Sequence, residues 1–248
     1  MNKSKDTIMS AHCCTLWSSL FLLLLFPAIS IALGDRMNAT HIQRRILSHL
    51  DARRRGRKLI VGGSDALPER FPYYAILDLE FSGGYSLCGS VLIHNDILLT
   101  TSACVQDATS IFAAVNFTIE TELPEPPGTY FREAIAYRVH ENYVASTNNN
   151  DIALLKMDLP VPIAPVMQGA SRPNDGVSVT VVGFGELSPG TGDFPTVLQE
   201  VAVDIISSEL CNTLYADIQE IEDSQMICAR FEGKVSQMIQ CHNTNRSS

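Results

Sequence analysis

Basic residues are scarce through most of this sequence, and that scarcity excludes one broad class of partner. Eighteen Lys and Arg stand against 27 Asp and Glu in 248 residues, a formal net charge of −9. Residues 60–248 hold only eight basic residues beside 24 acidic ones. Nucleic acid is held by clustered Lys and Arg, so no nucleic-acid partner is expected. Metal motifs are missing as well. There is no C-x-x-C, no H-E-x-x-H and no acidic calcium loop with its Gly and terminal Glu, so no metal is expected. Gly183-Phe184-Gly185 lacks the third glycine of a dinucleotide fingerprint and reads as a strand-end turn. No cofactor is expected.

What is present suits an ordinary globular core: 46% of residues are hydrophobic and 18% charged. Residues 1–34 read as a secretory signal, with Lys3 and Lys5 ahead of the apolar run Leu16–Phe26. The apolar stretch to Leu33 approaches membrane-spanning length. A cleaved signal is preferred to an anchor, because Pro27 and the small residues near Gly34 follow the apolar core. The protein is therefore expected to be secreted, with a membrane partner only if this segment stays uncleaved. Residues 35–59 concentrate the missing positive charge: eight basic residues against two acidic, ending in RRRGRK. Such a run reads most simply as a solvated linker.

From Phe71 the pattern has a period of two. Phe71, Tyr73, Ala75, Leu77, Leu79 and Phe81 share one strand face, with Tyr74, Ile76, Asp78 and Glu80 on the other. In Cys88–Cys104 two apolar runs flank the turn His94-Asn95-Asp96, a β-hairpin with a cysteine at each outer end. In a secreted chain such a pair would close into a disulfide. Further strands are expected at 111–118, 134–140, 177–183 and 197–205, and a short helix at Ser207–Tyr215. The acidic, proline-rich stretch between the first two of these strands must be a surface loop. Pro160–Pro173, with four prolines, reads as the crossing between two halves. Asn38, Asn116 and Asn245 head glycosylation sequons. Of the seven cysteines, Cys241 is left odd.

Several ordered motifs resemble the trypsin/chymotrypsin family of serine peptidases. CGSVLIHNDILLTTSAC resembles the family's CGGSLI…LTAAHC, and HENYVASTNNNDIALLKM its H-x-N-Y…N-D-I-A-L-L-K-L. TVVGFG, PTVLQEVAVDII and MICA resemble segments of its second half, and Ile60-Val61-Gly62-Gly63 its mature N-terminus. The resemblance implies an all-β fold, a trypsin-like double antiparallel β-barrel. It implies a first barrel over 60–165, a partial second barrel over 166–234 and an unmatched tail over 235–248. It also implies a basic propeptide-like segment over 35–59, a second disulfide, Cys211–Cys228, and an activation site at Lys58, Leu59 and Ile60. Leu59 is an extra residue between the basic site and Ile60. It would displace a freed amine by roughly 3.3 Å.

Two departures bear on activity. The catalytic His before the second hairpin cysteine is replaced by Ala103, which leaves Asp151 as the surviving member of the implied triad. An Asp entering the apolar run IALL is costly to bury without donors. Asp151 must therefore find backbone amides, water or another ligand. After MICA the sequence continues to Lys234 and then VSQMIQCHNTNRSS, without the GDSGGP that carries the nucleophile. The second barrel is therefore expected to be incomplete, and the tail to have the form of a translated intron. An ungapped count places Cys241 at the nucleophile position, a coincidence on this reading. The same count puts Val235 and Gln237 at a specificity and a cysteine position. His94 and His242 are candidate stand-ins for the base; His94 sits at the far end of its strand from Ala103. The expected function is that of a secreted member of this peptidase family, catalytically inactive. The alternatives are a non-catalytic homologue that binds a protein or peptide ligand, and a truncated gene model.

Overall fold

A computed structural model describes residues 8–10, 42–46, 48, 63–118, 128–169, 171–185, 195–215, 221–222, 224–231 and 238–242. The expected activation site at Lys58, Leu59 and Ile60 lies outside these residues, as do Asn38, Asn245, Val235, Gln237 and most of the leader.

Six strands close into an antiparallel barrel. They are β3 (Tyr74–Phe81), β4 (Gly84–His94), β5 (Ile97–Thr100), β6 (Ser110–Val115), β7 (Tyr130–Val139) and β8 (Ala153–Met157). Their order around the barrel is β3-β4-β5-β8-β7-β6. Alternation along each strand fills the interior with one face. Ala75, Leu77 and Leu79 of β3 meet Leu92, Leu98, Ile111, Ala113, Val115, Leu155 and Met157 there, all buried. The β4–β5 hairpin is the one expected from the sequence, with a bulge between Leu92 and His94.

A second sheet follows β1 (Ile8–Ser10), β9 (Ser178–Gly183), β10 (Gln199–Ile206), β11 (Met226–Arg230) and β12 (Met238–His242) in that order. The two-residue strand β2 (Ser64–Asp65) also pairs with β10. Unlike the first six strands, these form an open sheet, the partial second barrel expected from the sequence. Strand β1, from the expected leader, lies parallel to β9 at its edge, Ile8 opposite Thr180. Val179, Val181, Val201, Val203, Ile205 and Ile227 form the core of this half. Helix α3 (Ser208–Tyr215) opens where expected, and the Ser207 hydroxyl accepts the Leu210 N–H at 3.2 Å as its cap.

The outer face of β3 differs from a solvated one. Residues 74–79 of β3 are all buried, so Tyr74, Ile76 and Asp78 lie under cover although they alternate away from the barrel interior. Part of the cover is the second half: Tyr74 packs on Phe184 at 6.1 Å between ring centroids, in a cluster with Val182 and Leu198. Further cover comes from α1, helical residues 42–46, whose Ile42 and Ile46 join the same cluster. The burial of Ile42 and Ile46 departs from a solvated linker at these positions. Ile42 and Ile46 stand one helical turn apart and share a face, so even a single turn offers an apolar stripe to bury.

Candidate functional site

The residues singled out around Ala103 and Asp151 do meet. After β5 the chain leaves Thr100 and makes one helical turn, α2 (Ser102–Val105). Thr101 stands before it in extended geometry and its side chain makes no cap bond. The first amides of a helix have no partner within it. One of them, the Ala103 N–H, donates to Asp151 Oδ1 at 2.7 Å. Asp151 is buried, with 7% of its surface exposed. A backbone donor thus helps hold the buried carboxylate, one of the solutions the sequence left open. Ser102 Oγ donates to the Ile152 carbonyl at 2.7 Å and fastens the turn to the chain entering β8. The Cys88–Cys104 disulfide ties α2 to β4 with the Cα atoms 6.2 Å apart. Cys211 and Cys228 are joined at the same Cα separation, linking α3 to β11.

Tyr143 adjoins this site. Burial raises its phenol pKa, and the negative charge of Asp151 raises it further. The loop holding it is tied by the Asn150 side-chain amide, which donates to the Asn142 carbonyl at 2.9 Å. The backbone N–H of Asn150 donates to Gln225 Oε1 at 2.8 Å. That bond joins the first barrel to the start of β11 beside Asp151. The sequence reading passed over Gln225, because a polar residue before a strand carries no signal of a distant partner.

The candidate stand-ins for the base are placed differently. His94 Nδ1 shares a 2.8 Å hydrogen bond with Asp96 Oδ1 at the tip of the β4–β5 hairpin. Ala103 follows the opposite end of β5. Asp96 also pairs with Lys156. Burial pushes the Asp96 carboxyl up, but Lys156 and His94 outweigh it and hold its pKa below the ordinary value. His140 accepts the Asn142 N–H on Nδ1 at 3.1 Å. The backbones of Cys241 and His242 pair with those of Ile227 and Met226 in a regular antiparallel ladder.

Chemically, the Ala103 methyl can neither accept nor donate a proton, so the Asp151 carboxylate has no imidazole at this position to orient. Among the described residues no group of three or more His, Cys, Asp or Glu could hold a metal ion. The sequon residue Asn116 has left-handed backbone, φ 58°, and its amide nitrogen, the atom a glycan would take, donates to the Gly128 carbonyl at 3.0 Å.

Comparison with known proteins places these features in a family. The family model described as Trypsin matches residues 60–239. Trypsin alpha of Drosophila erecta is 31% identical over 220 residues, covering 86% of this chain and 78% of that protein. Trypsin delta of Drosophila melanogaster is 29% identical over 216 residues, 85% of this chain and 78% of the relative. Serine proteinase stubble of Drosophila melanogaster is 32% identical over 192 residues, 70% of this chain but 23% of its own length. A solved structure described as "Structure of GrC" superposes with a TM-score of 0.63 at 22% identity, covering 70% of this chain and 76% of the other. At that identity the superposition speaks for the fold.

Proposed function

The chain belongs to the trypsin family of serine peptidases, and on that premise we propose that it is a secreted, non-catalytic member that acts by binding a protein or peptide. The observation that carries this reading is the placement of Ala103: its amide lies 2.7 Å from Asp151 Oδ1, so a methyl group stands beside the buried carboxylate where the family has an imidazole. In a working triad the Asp receives an imidazole N–H, and the imidazole takes the proton of the attacking hydroxyl. Here the side chain at position 103, which would have to move the proton, is a methyl group. Loss of a triad member leaves only the residual catalysis of oxyanion hole and binding. A fold that loses its chemistry keeps its surfaces, which can serve recognition. Two disulfides and an apolar leader favour an oxidising, extracytoplasmic compartment.

The test is a serine-directed fluorophosphonate probe and a small ester substrate, applied to the full chain purified from a secreting eukaryotic cell. Neither covalent labelling nor turnover above background is expected. Stoichiometric labelling would overturn the proposal. The same preparation should elute as one monodisperse species. Aggregation would instead favour an unstable product whose open second sheet exposes strand edges.

A further inference from the structure

The outer face of β3 carries two acidic residues, and both point to the same arginine. The register sets Asp78 beside Leu87 of β4 and Phe112 of β6, and Glu80 beside Tyr85 of β4 and Ser110 of β6. Paired residues of antiparallel strands project to one side. Arg45 of α1 lies over these two rows. Its Nε donates to Asp78 Oδ2 at 2.6 Å and its Nη1 to Glu80 Oε2 at 3.0 Å. The guanidinium carbon stands 4.9 Å from the Tyr85 ring centroid and 5.0 Å from that of Phe112. Ser110 Oγ donates to the same Glu80 oxygen at 3.0 Å and fixes it. The Asp78 side chain is 0% exposed and that of Arg45 13%. On either side Ile42 and Ile46, 3% and 0% exposed, fill the apolar cluster beneath.

This is a site built for a planar cation. Guanidinium offers donors in a fixed fork and stacks on aromatic faces, where an ammonium gives a point charge. The site also lies away from Ala103 and Asp151, since in the closed barrel β3 stands directly across from β8. Nothing in the peptidase chemistry uses it. A carboxylate with no exposed surface, set between Leu87 and Phe112 on the neighbouring strands, is costly to leave without its cation. Residues 35–59 contain no cysteine, so no disulfide could hold this segment to the body.

We infer that Asp78, Glu80, Tyr85 and Phe112 form an arginine-binding cradle whose ligand is the chain's own residues 42–46. That segment stays docked as a non-covalent clamp when the backbone is cut in the basic run Arg53–Lys58. The inference stands whether or not the protein catalyses anything. Because the pair is buried, physiological salt screens it little. The clamp sets the chemistry of any competitor: an amphipathic helical segment presenting one arginine between two aliphatic residues.

The recognition sequence of a site-specific protease is placed within residues 53–58, the full chain is cut there alone, and the products are followed by size-exclusion chromatography and native mass spectrometry. The fragment carrying residues 42–46 should travel with the body. Its separation from a body that keeps its near-ultraviolet circular dichroism would overturn the inference. Hydrogen exchange on the uncut chain gives a second reading. The amides of residues 42–46 should be protected, and Arg45→Ala should speed their exchange at least about tenfold while β8 is unchanged. Arg45→Lys should fall between, because charge returns without the stacked fork. Unprotected amides in the unaltered chain would refute the clamp even if the variants failed to fold. A dimer that loses this protection on dilution would assign the cradle to a second copy and overturn docking within one chain.

Discussion

Replacing Asp151 should cost stability, a readout separate from turnover. The carboxylate is 7% exposed and accepts the Ala103 amide at 2.7 Å. A hydrogen bond to a charged group contributes about 1.5–3 kcal/mol net, and an orphaned buried donor adds to the loss. Asp151→Ala removes the acceptor and strands the first turn of α2, so about 2 kcal/mol should disappear. With a urea slope near 2 kcal/mol/M, the unfolding midpoint should fall by roughly 1 M. Asp151→Asn keeps an oxygen facing the amide and should lose about half as much, since neutral hydrogen bonds contribute about 1 kcal/mol. A second signal separates charge from packing. Burial is the larger cause of the raised Tyr143 pKa, and the Asp151 charge adds to it. In Asp151→Asn the Tyr143 phenol should therefore titrate at lower pH than in the unaltered protein. Urea melts followed by circular dichroism, with ultraviolet titration of the phenols, give both numbers. An Asp151→Ala midpoint unchanged or raised would refute the view that this residue supports the fold through the Ala103 amide.

Other expectations follow from the same geometry. Asp96 has a lowered pKa because Lys156 and His94 outweigh its burial. Its contribution is therefore present above the ordinary Asp value of about 3.9 and is lost as pH falls through the lower folded value; Asp96→Asn should flatten that acid limb in denaturation measured from pH 6 downward. Burial raises the Tyr73 phenol to about 12 against a smaller lowering by Arg70, so one phenolate should form about two units late in absorbance titration and vanish in Tyr73→Phe. Any stability from this group is lost between the free-tyrosine value and the folded one as pH rises. Ala103→His should restore no peptidase activity on a peptide-amide substrate, because residues 1–248 contain no GDSGGP segment to supply the nucleophile; turnover in that single variant would show that the tail has been misread.

Much of the architecture was legible because barrel strands alternate. The runs around Val91–Ile93 and Ile97–Thr100 became β4 and β5, and the alternation from Phe71 became β3. Alternation reports which side chains share a face, but it cannot report what covers that face. Alternation places Asp78 on the face opposite the barrel interior, and there its side chain has no exposed surface under Arg45. The reason lies 33 residues away, in a stretch whose charge marked it as a linker. One helical turn with two isoleucines is too short to register as periodic, so the docking was hidden from local reading.

Ala103 was legible for the opposite reason: it departs from the expected residue inside otherwise matching sequence. What the sequence could not supply was how the neighbouring carboxylate would be satisfied. A catalytic Asp without its His is a buried charge without a partner, and such a charge is removed, rearranged or compensated. Here the main chain supplies one donor to it. The turn of α2 starts one residue before Ala103, and a helix start always presents unpaired amides. An alanine at this position therefore leaves a donor in reach of Asp151 whatever side chain is lost. On the proposed non-catalytic reading, this keeps a donor at Asp151 with no histidine at position 103. The amide that holds it belongs to the backbone and does not depend on the identity of residue 103.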